Sequence, residues 1–168
     1  MSVITGESAE AKAMRRSAKS LSVYLNEHLA DETIAVELAT HASLEHEGTK
    51  LGTFLLLLSW ELEEDRASLV RLMGKLGARR KHFGVGLAGI AEKVGHLRHT
   101  GSSPLSTLHE LEALDQRING KFDMWTALRA SVGDRVDGID FDELINRTER
   151  QAEALERRRL DAAADALS

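Results

Sequence analysis

Apolar side chains recur along this chain at the three- and four-residue spacing of amphipathic helices, in five segments. Four of these segments are long, covering residues 8–46, 51–76, 104–131 and 140–167, and a shorter one covers residues 83–99. The apolar stripe of the first segment is Met14, Ala18, Leu21, Leu25, Leu29, Ala35, Val36, Ala39 and Ala42. This pattern predicts an all-α fold.

Local signals mark where the predicted helices begin and end. Gly48 lies in a short turn after the first helix, and Gly77 is the expected C-cap of the second. Ser103 followed by Pro104 is an N-cap with proline at the first helical position. Asp140 precedes the last helix and has an acidic residue three positions later, which resembles a capping box. The spacing of these signals predicts two antiparallel hairpins.

The connection between the two hairpins, residues 78–103, is much longer than either hairpin turn. A connection of this length can carry the chain from one end of a bundle to the other. The sequence therefore predicts a single domain over residues 1–168, a four-helix bundle whose second and third long helices are parallel. The basic tract at residues 79–82 is interpreted as a solvated hinge, and residues 83–99 as a short crossover helix.

Composition narrows the functional classes. The formal net charge is −5, which argues against a dedicated nucleic-acid binder. The chain has no Cys, so disulfides and thiolate metal sites are excluded. The longest unbroken apolar run, residues 54–58, is too short to span a bilayer, and the polar start of the chain gives no sign of a signal peptide. A cytoplasmic protein with no membrane partner is the expectation.

Glu32 lies in the middle of the apolar face of the first helix, where a carboxylate needs compensation. Glu32 and Glu64 are equally distant in sequence from Gly48, so an antiparallel hairpin places Glu32 level with Asp65 and Arg66. This position makes Glu32 the strongest candidate for a functional residue.

The stretch from Tyr24 to Ala35 resembles the first bundle helix of bacterioferritins, members of the ferritin-like superfamily. In that helix a Leu-Asn pair is followed by an Asn/Asp-Glu pair whose Glu is an iron ligand. Here the corresponding pairs are Leu25-Asn26 and Asp31-Glu32. The resemblance implies a ferritin-like four-helix bundle with one long crossover, and it implies that Glu32 matches the iron ligand.

The rest of the ligand set departs from that family. Ferritin-like diiron sites use a Glu-x-x-His on two further helices, because residues three apart project together into the core. The second helix instead offers Glu61 and Glu64, and the fourth, near Glu149, contains no His. Both histidines of the usual iron set are therefore missing.

Two interpretations of the polar core residues compete. In the first, a buried network of salt bridges and hydrogen bonds neutralises Glu32, with Arg66 as the expected partner. The members of this network are His28, Glu32, Asp65, Arg66 and Arg159. In the second, carboxylates and one imidazole bind iron or manganese, with ligands drawn from His28, Glu32, Glu61, Asp65 and Asp115. An open bundle end that keeps Glu32 hydrated is a further alternative.

The sequence therefore favours a non-enzymatic structural or interaction protein that binds no cofactor, built on a ferritin-like bundle. A metal-binding or diiron-type oxidoreductase is the alternative, and a small-ligand carrier is a third hypothesis. Trp60 points away from the expected core, so we expect it to pack on the crossover helix or to form a dimer contact.

Overall fold

The computed structural model describes residues 8–81 and 103–168. These ranges contain four long helices and no strand. The helices are α1 (Ala9–Glu45), α2 (Lys50–Lys75), α3 (Pro104–Val132) and α4 (Phe141–Leu167), with a 3₁₀ turn at Gly133–Arg135 before α4. The four predicted long helices are confirmed, with ends within a residue or so of the predicted ones.

Each of the four helices begins at a side-chain cap. The hydroxyls of Ser8, Thr49 and Ser103 accept hydrogen bonds from backbone N–H groups of the first turns of α1, α2 and α3. Ser103 forms a full capping box with Ser106, and Asp140 caps α4. The predicted starts at Ser103 and Asp140 are therefore confirmed, because these side chains satisfy donors that have no partner within the helix.

The α1–α2 turn is tight because two glycines allow it. Gly48 has φ +80°, a left-handed conformation that is strained for residues with a Cβ. Gly52, in the first turn of α2, lies so close to the end of α1 that a Cβ there would be 2.1 Å from the carbonyl oxygen of His46. The two helices therefore approach each other at backbone contact distance.

Side-chain contacts give the directions of the helices. His46, at the end of α1, lies 3.6 Å from Glu110 near the start of α3, whereas Glu32 in mid-α1 lies beside Lys121 in mid-α3. Helices α1 and α3 are therefore antiparallel. Because α1 and α2 form an antiparallel hairpin, α2 and α3 run in the same direction, as the sequence predicted.

The chain between residues 81 and 103 connects opposite ends of the bundle. The backbone N–H of Lys81 donates to Asn26 Oδ1 (2.8 Å) in the first half of α1. Ser103 lies at the other end, where it shares a pocket with His46 and Lys50. The predicted crossover helix over residues 83–99 lies outside the described residues.

The core consists of two apolar clusters separated by a polar layer. The cluster at the α1–α2 turn includes Leu38, Leu58, Leu111 and Leu155, and the cluster at the opposite end includes Leu25, Leu69, Trp125 and Ile145. On every helix a buried polar residue lies between the residues of the two clusters. The candidate site is this middle layer.

Two apolar side chains that figure in the sequence prediction, Met14 and Trp60, are largely exposed in the described structure. Met14 is 74 % exposed, so the predicted stripe of α1 does not form core at its start, and its first fully buried side chain is Leu25. Trp60 is 60 % exposed in the described structure. Its predicted contact with the crossover segment lies outside the described residues and stays a prediction.

Within residues 8–81 and 103–168, no helix has the length and apolarity needed to cross a membrane.

Candidate functional site

The middle layer takes one buried polar side chain from each helix of the bundle. These are Glu32 of α1, Asp65 of α2, Lys121 of α3 and Gln151 of α4, and each residue is at most 2 % exposed. Each occupies a position where the helical spacing of its own helix would otherwise place an apolar residue. The sequence thus builds a polar centre inside an otherwise apolar bundle.

Lys121 is the hub of the layer. Its Nζ donates to Asp65 Oδ2 at 2.5 Å and to Gln151 Oε1 at 2.7 Å, and it lies 4.0 Å from Glu32 Oε2. An ammonium group has three donors and no acceptor, so oxygen atoms on three different helices suit it. Lys121 therefore links α3 to the other three helices.

Asp65 is also paired with a second cationic side chain, that of Arg147, which reaches it from the side of the bundle. The Arg147 guanidinium, on α4, contacts Asp65 Oδ1 as an ion pair and also bonds to Glu64 Oε2 at 3.2 Å. The Arg147 side chain is 21 % exposed, whereas the Asp65 side chain is fully buried. The Asp65 carboxylate is therefore paired with two cations inside the core.

Gln151 extends the network to the surface. Its amide nitrogen donates to Asp65 Oδ2 at 3.0 Å and to Glu61 Oε2 at 3.1 Å, while its oxygen accepts from Lys121. An amide can donate and accept at once, so it can bridge an ammonium and a carboxylate without adding charge. Glu61 itself lies on the exposed surface of α2.

Glu32 is the member of the layer that is least well compensated. Among the described residues its Oε2 atom has no hydrogen-bond partner, because the hydrogen bonds of Lys121 go to Asp65 and Gln151. The pKa of Glu32 is raised to about 7, and burial is the largest cause. The charges of Asp65 and Asp31 also raise this pKa, whereas the nearby charge of Lys121 lowers it. Glu32 therefore takes up a proton near neutral pH instead of forming a full salt bridge.

The predicted pair of Glu32 with Arg66 is wrong. Arg66 points toward the surface, where it donates to Glu63 of its own helix at 2.7 Å. The less favoured partner, Arg159, donates to Glu156 at 2.7 Å and lies 3.8 Å from Glu112. In both cases a carboxylate one helical turn away is within reach without any cost of burial, so the guanidinium stays near water.

The remaining predicted ligands do not converge on Glu32. His28 is half-buried and packs edge-on against Tyr24, with ring centroids 4.5 Å apart. Asp115 accepts a hydrogen bond from Asn119 and lies on the side of α3 that faces Glu156 and Arg159. Among the described residues, no three His, Asp or Glu side chains are arranged to hold a metal ion.

Sequence reasoning identified Glu32 and Asp65 but missed Lys121, Gln151 and Arg147. A signal for Lys121 was present, because Ile118, Lys121 and Trp125 follow each other at the spacing of one apolar stripe. Because lysine is rarely buried, this spacing alone did not identify Lys121 as a core residue.

Open spaces adjoin the described part of the bundle. A groove of about 470 Å³ lies between α2 and α4, lined by Phe54, Leu57 and Arg147 among others, and it has Gln151 at its base. A second, of about 680 Å³, lies at the α1–α2 turn end near His46. Both mix apolar side chains with charges of both signs, so neither selects a class of small ligand.

Comparisons with protein-family models, with curated proteins and with solved structures gave no match.

Proposed function

We propose that this chain is a non-catalytic, ferritin-like bundle protein whose role is to make protein contacts, and in which a lysine ammonium takes the place of a central metal. The observation that carries the proposal is the position of Lys121 Nζ, 2.5 Å from Asp65 Oδ2 and 4.0 Å from Glu32 Oε2. The parallel course of α2 and α3 supports the ferritin-like part of the proposal, because one long crossover produces it.

The charges of the layer favour an ammonium over a metal ion. A divalent cation between Glu32 and Asp65 would lie within a few ångströms of Lys121 and close to Arg147, and like charges at that distance repel strongly in a buried site. Lys121 and Arg147 together balance Asp65 and the carboxylate of Glu64, to which Arg147 also bonds, and the raised pKa of Glu32, about 7, lets a proton neutralise that residue. The layer is thus nearly neutral without any added ion.

No two side chains of the polar layer are placed to act together on a substrate. Its carboxylates and its ammonium bond to one another, and the full burial of Lys121 and Asp65 keeps a substrate away from both. Among the described residues, the exposed apolar side chains include three that lie close together on the outside of α2, Leu56, Leu57 and Trp60. These features suit an interaction protein better than an enzyme.

Elemental analysis tests the proposal directly. The wild-type protein and Glu32→Ala are purified from cells grown with added iron and manganese, and the metal content per chain is measured for both. Glu27→Ala is the control, because Glu27 lies exposed on the same helix. We expect far less than one metal ion per chain in all three proteins.

The metalloprotein alternative predicts a different result. If the wild type and Glu27→Ala carry about one iron or manganese per chain and Glu32→Ala does not, the ammonium has not replaced a metal. The proposal would then be wrong, and the carboxylate-rich metal site would take its place.

A further inference from the structure

The outside of α2 carries a continuous strip of exposed side chains. Leu56, Leu57 and Trp60 form its centre and are 40 %, 51 % and 60 % exposed. Lys50 lies exposed at one end and Glu64 at the other. We call the surface formed by Lys50, Thr53, Leu56, Leu57, Trp60 and Glu64 the outer strip.

The outer strip has the spacing of a helix-pairing surface. Lys50, Thr53, Leu57, Trp60 and Glu64 follow each other at alternating steps of three and four residues, the spacing with which two helices pack along their length. The buried side of α2, which includes Leu55, Leu62 and Leu69, already packs on the bundle core. Helix α2 therefore has two apolar sides, and the described bundle covers one of them.

We propose that the outer strip binds a second copy of this chain, with the two α2 helices antiparallel around a twofold axis between Leu57 and Trp60. The inference rests on the proposed role in making protein contacts and names the partner. Around this axis Leu57 of each copy faces Trp60 of the partner subunit, so the most exposed apolar side chains of α2 become the centre of the contact. A twofold contact uses the same strip on both copies and closes after two.

The charges at the ends of the strip favour the antiparallel pairing. The twofold axis brings Lys50 of one copy to within about one helical turn, or about 5 Å along the helix, of Glu64 of the partner subunit. A parallel pairing would place Lys50 beside Lys50 and Glu64 beside Glu64. Glu64 is free to take part, since its side chain is 72 % exposed although it bonds to Arg147. The strip is therefore complementary to itself in one orientation.

The size of the strip indicates a weak dimer. Three apolar side chains per copy form a smaller centre than that of permanent dimers, which bury about 2,000 Å² or more. We therefore expect a dimer that dissociates on dilution, without unfolding of the subunits.

Sedimentation velocity with the full chain, at concentrations from about 1 µM to about 1 mM, tests the contact. We expect the wild type to pass from monomer to dimer over this range. Leu57→Glu should weaken the dimer at least tenfold, because it places a charge at the apolar centre. Leu160→Glu is the matched control, since Leu160 is 53 % exposed on α4, and it should leave the dissociation constant unchanged. Circular dichroism checks that both variants fold.

Charge reversal tests the orientation. Lys50→Glu and Glu64→Lys should each weaken the dimer, because each variant brings like charges together at both ends of the strip. The double variant should restore most of the affinity, since it exchanges the two charges. A wild type that stays monomeric at every concentration, a control that is as damaging as Leu57→Glu, or a double variant weaker than both single ones would overturn the proposal.

The results of the sedimentation experiments do not depend on the result of the elemental analysis. A metal-free monomer would remove this inference and leave the proposed ammonium-centred bundle intact. If the wild-type protein is a dimer and carries iron that Glu32→Ala lacks, the dimer would stand and the proposed ammonium centre would be wrong.

Discussion

Lys121 and Asp65 form an ion pair of 2.5 Å in the centre of the bundle, with both side chains fully shielded from solvent. Removing one partner of such a pair is costly, because the other charge remains buried without compensation. The same pair would contribute little at the surface, where water screens it.

We therefore expect Lys121→Met to destabilise the protein by about 3–5 kcal/mol. Met fills a similar volume, so the loss reports the charge of Lys121 more than its packing. Urea unfolding at neutral pH measures the effect. Arg66→Met is the matched control, since Arg66 lies near the surface beside Glu63, and we expect it to change stability by about 0.5 kcal/mol or less. Equal losses in the two variants would contradict the assigned role of Lys121.

Glu32 should make stability depend on pH in a defined direction. The folded protein holds the Glu32 proton more tightly than the unfolded chain, since the pKa rises from 4.5 to about 7. Wild-type stability should therefore fall as pH increases through this window.

Glu32→Gln should remove that dependence. Gln resembles the protonated carboxyl, so the variant should match the wild type near pH 5 and become relatively more stable toward pH 8, by up to about 3 kcal/mol. Urea unfolding across the pH range gives the difference. A constant difference between the two proteins from pH 5 to 8 would show that Glu32 keeps one protonation state.

Glu110 should show the same behaviour over a window that extends to a higher pH. Burial raises the pKa of Glu110 to about 8, and the charge of Glu45 and the hydrogen bond that protonated Glu110 donates to Glu45 act in the same direction; His46 lies 3.6 Å away. The folded protein again holds the proton more tightly, so stability should fall as pH rises from about 5 to about 8 and should level off above that. Glu110→Gln should flatten the stability curve between about pH 5 and about pH 8, whereas His109→Gln, at a neighbouring exposed position, should leave it unchanged. The same dependence of stability on pH in wild type and Glu110→Gln would contradict the raised pKa of Glu110.

Gly52→Ala should be costly because of a backbone contact. The new Cβ would meet the His46 carbonyl oxygen at 2.1 Å, so the α1–α2 turn must open. We expect a loss of about 3 kcal/mol in thermal or urea unfolding. Gly74→Ala in the same helix has no atom within 4 Å of its Cβ, and it should stabilise the protein by about 0.5–1 kcal/mol. A Gly52→Ala protein as stable as the wild type would show that the turn is more tolerant than its geometry indicates.

Hydrophobic spacing and capping residues were sufficient to predict the four long helices. Ser103, Pro104 and Asp140 marked helix starts that the structure confirms, since caps act locally and leave a signal in the sequence. The length of the connection after Gly77 predicted that α2 and α3 are parallel. These features depend on short-range rules that a single sequence displays.

The partners in the site depended on contacts between helices, which spacing alone does not resolve. Asp65 and Arg66 are adjacent in sequence, yet one is fully buried and the other lies near the surface, because neighbouring residues on a helix are separated by about 100°. Whether Arg66 turned inward depended on the competing carboxylate of Glu63. Predicting Lys121 as the partner of Asp65 would have required knowing which face of α3 packs against α1 and α2.

The polar layer has a consequence for how the four helices can slide past one another. Apolar surfaces tolerate displacement by a turn, since one Leu replaces another at little cost. A slip of α3 by one turn, about 5.4 Å, would carry the Lys121 ammonium away from Asp65 and into an apolar cluster. Such a slip would leave both charges unpaired, whereas the native alignment satisfies them. Lys121 therefore fixes the register of the bundle, a role that single buried polar residues also have in coiled coils.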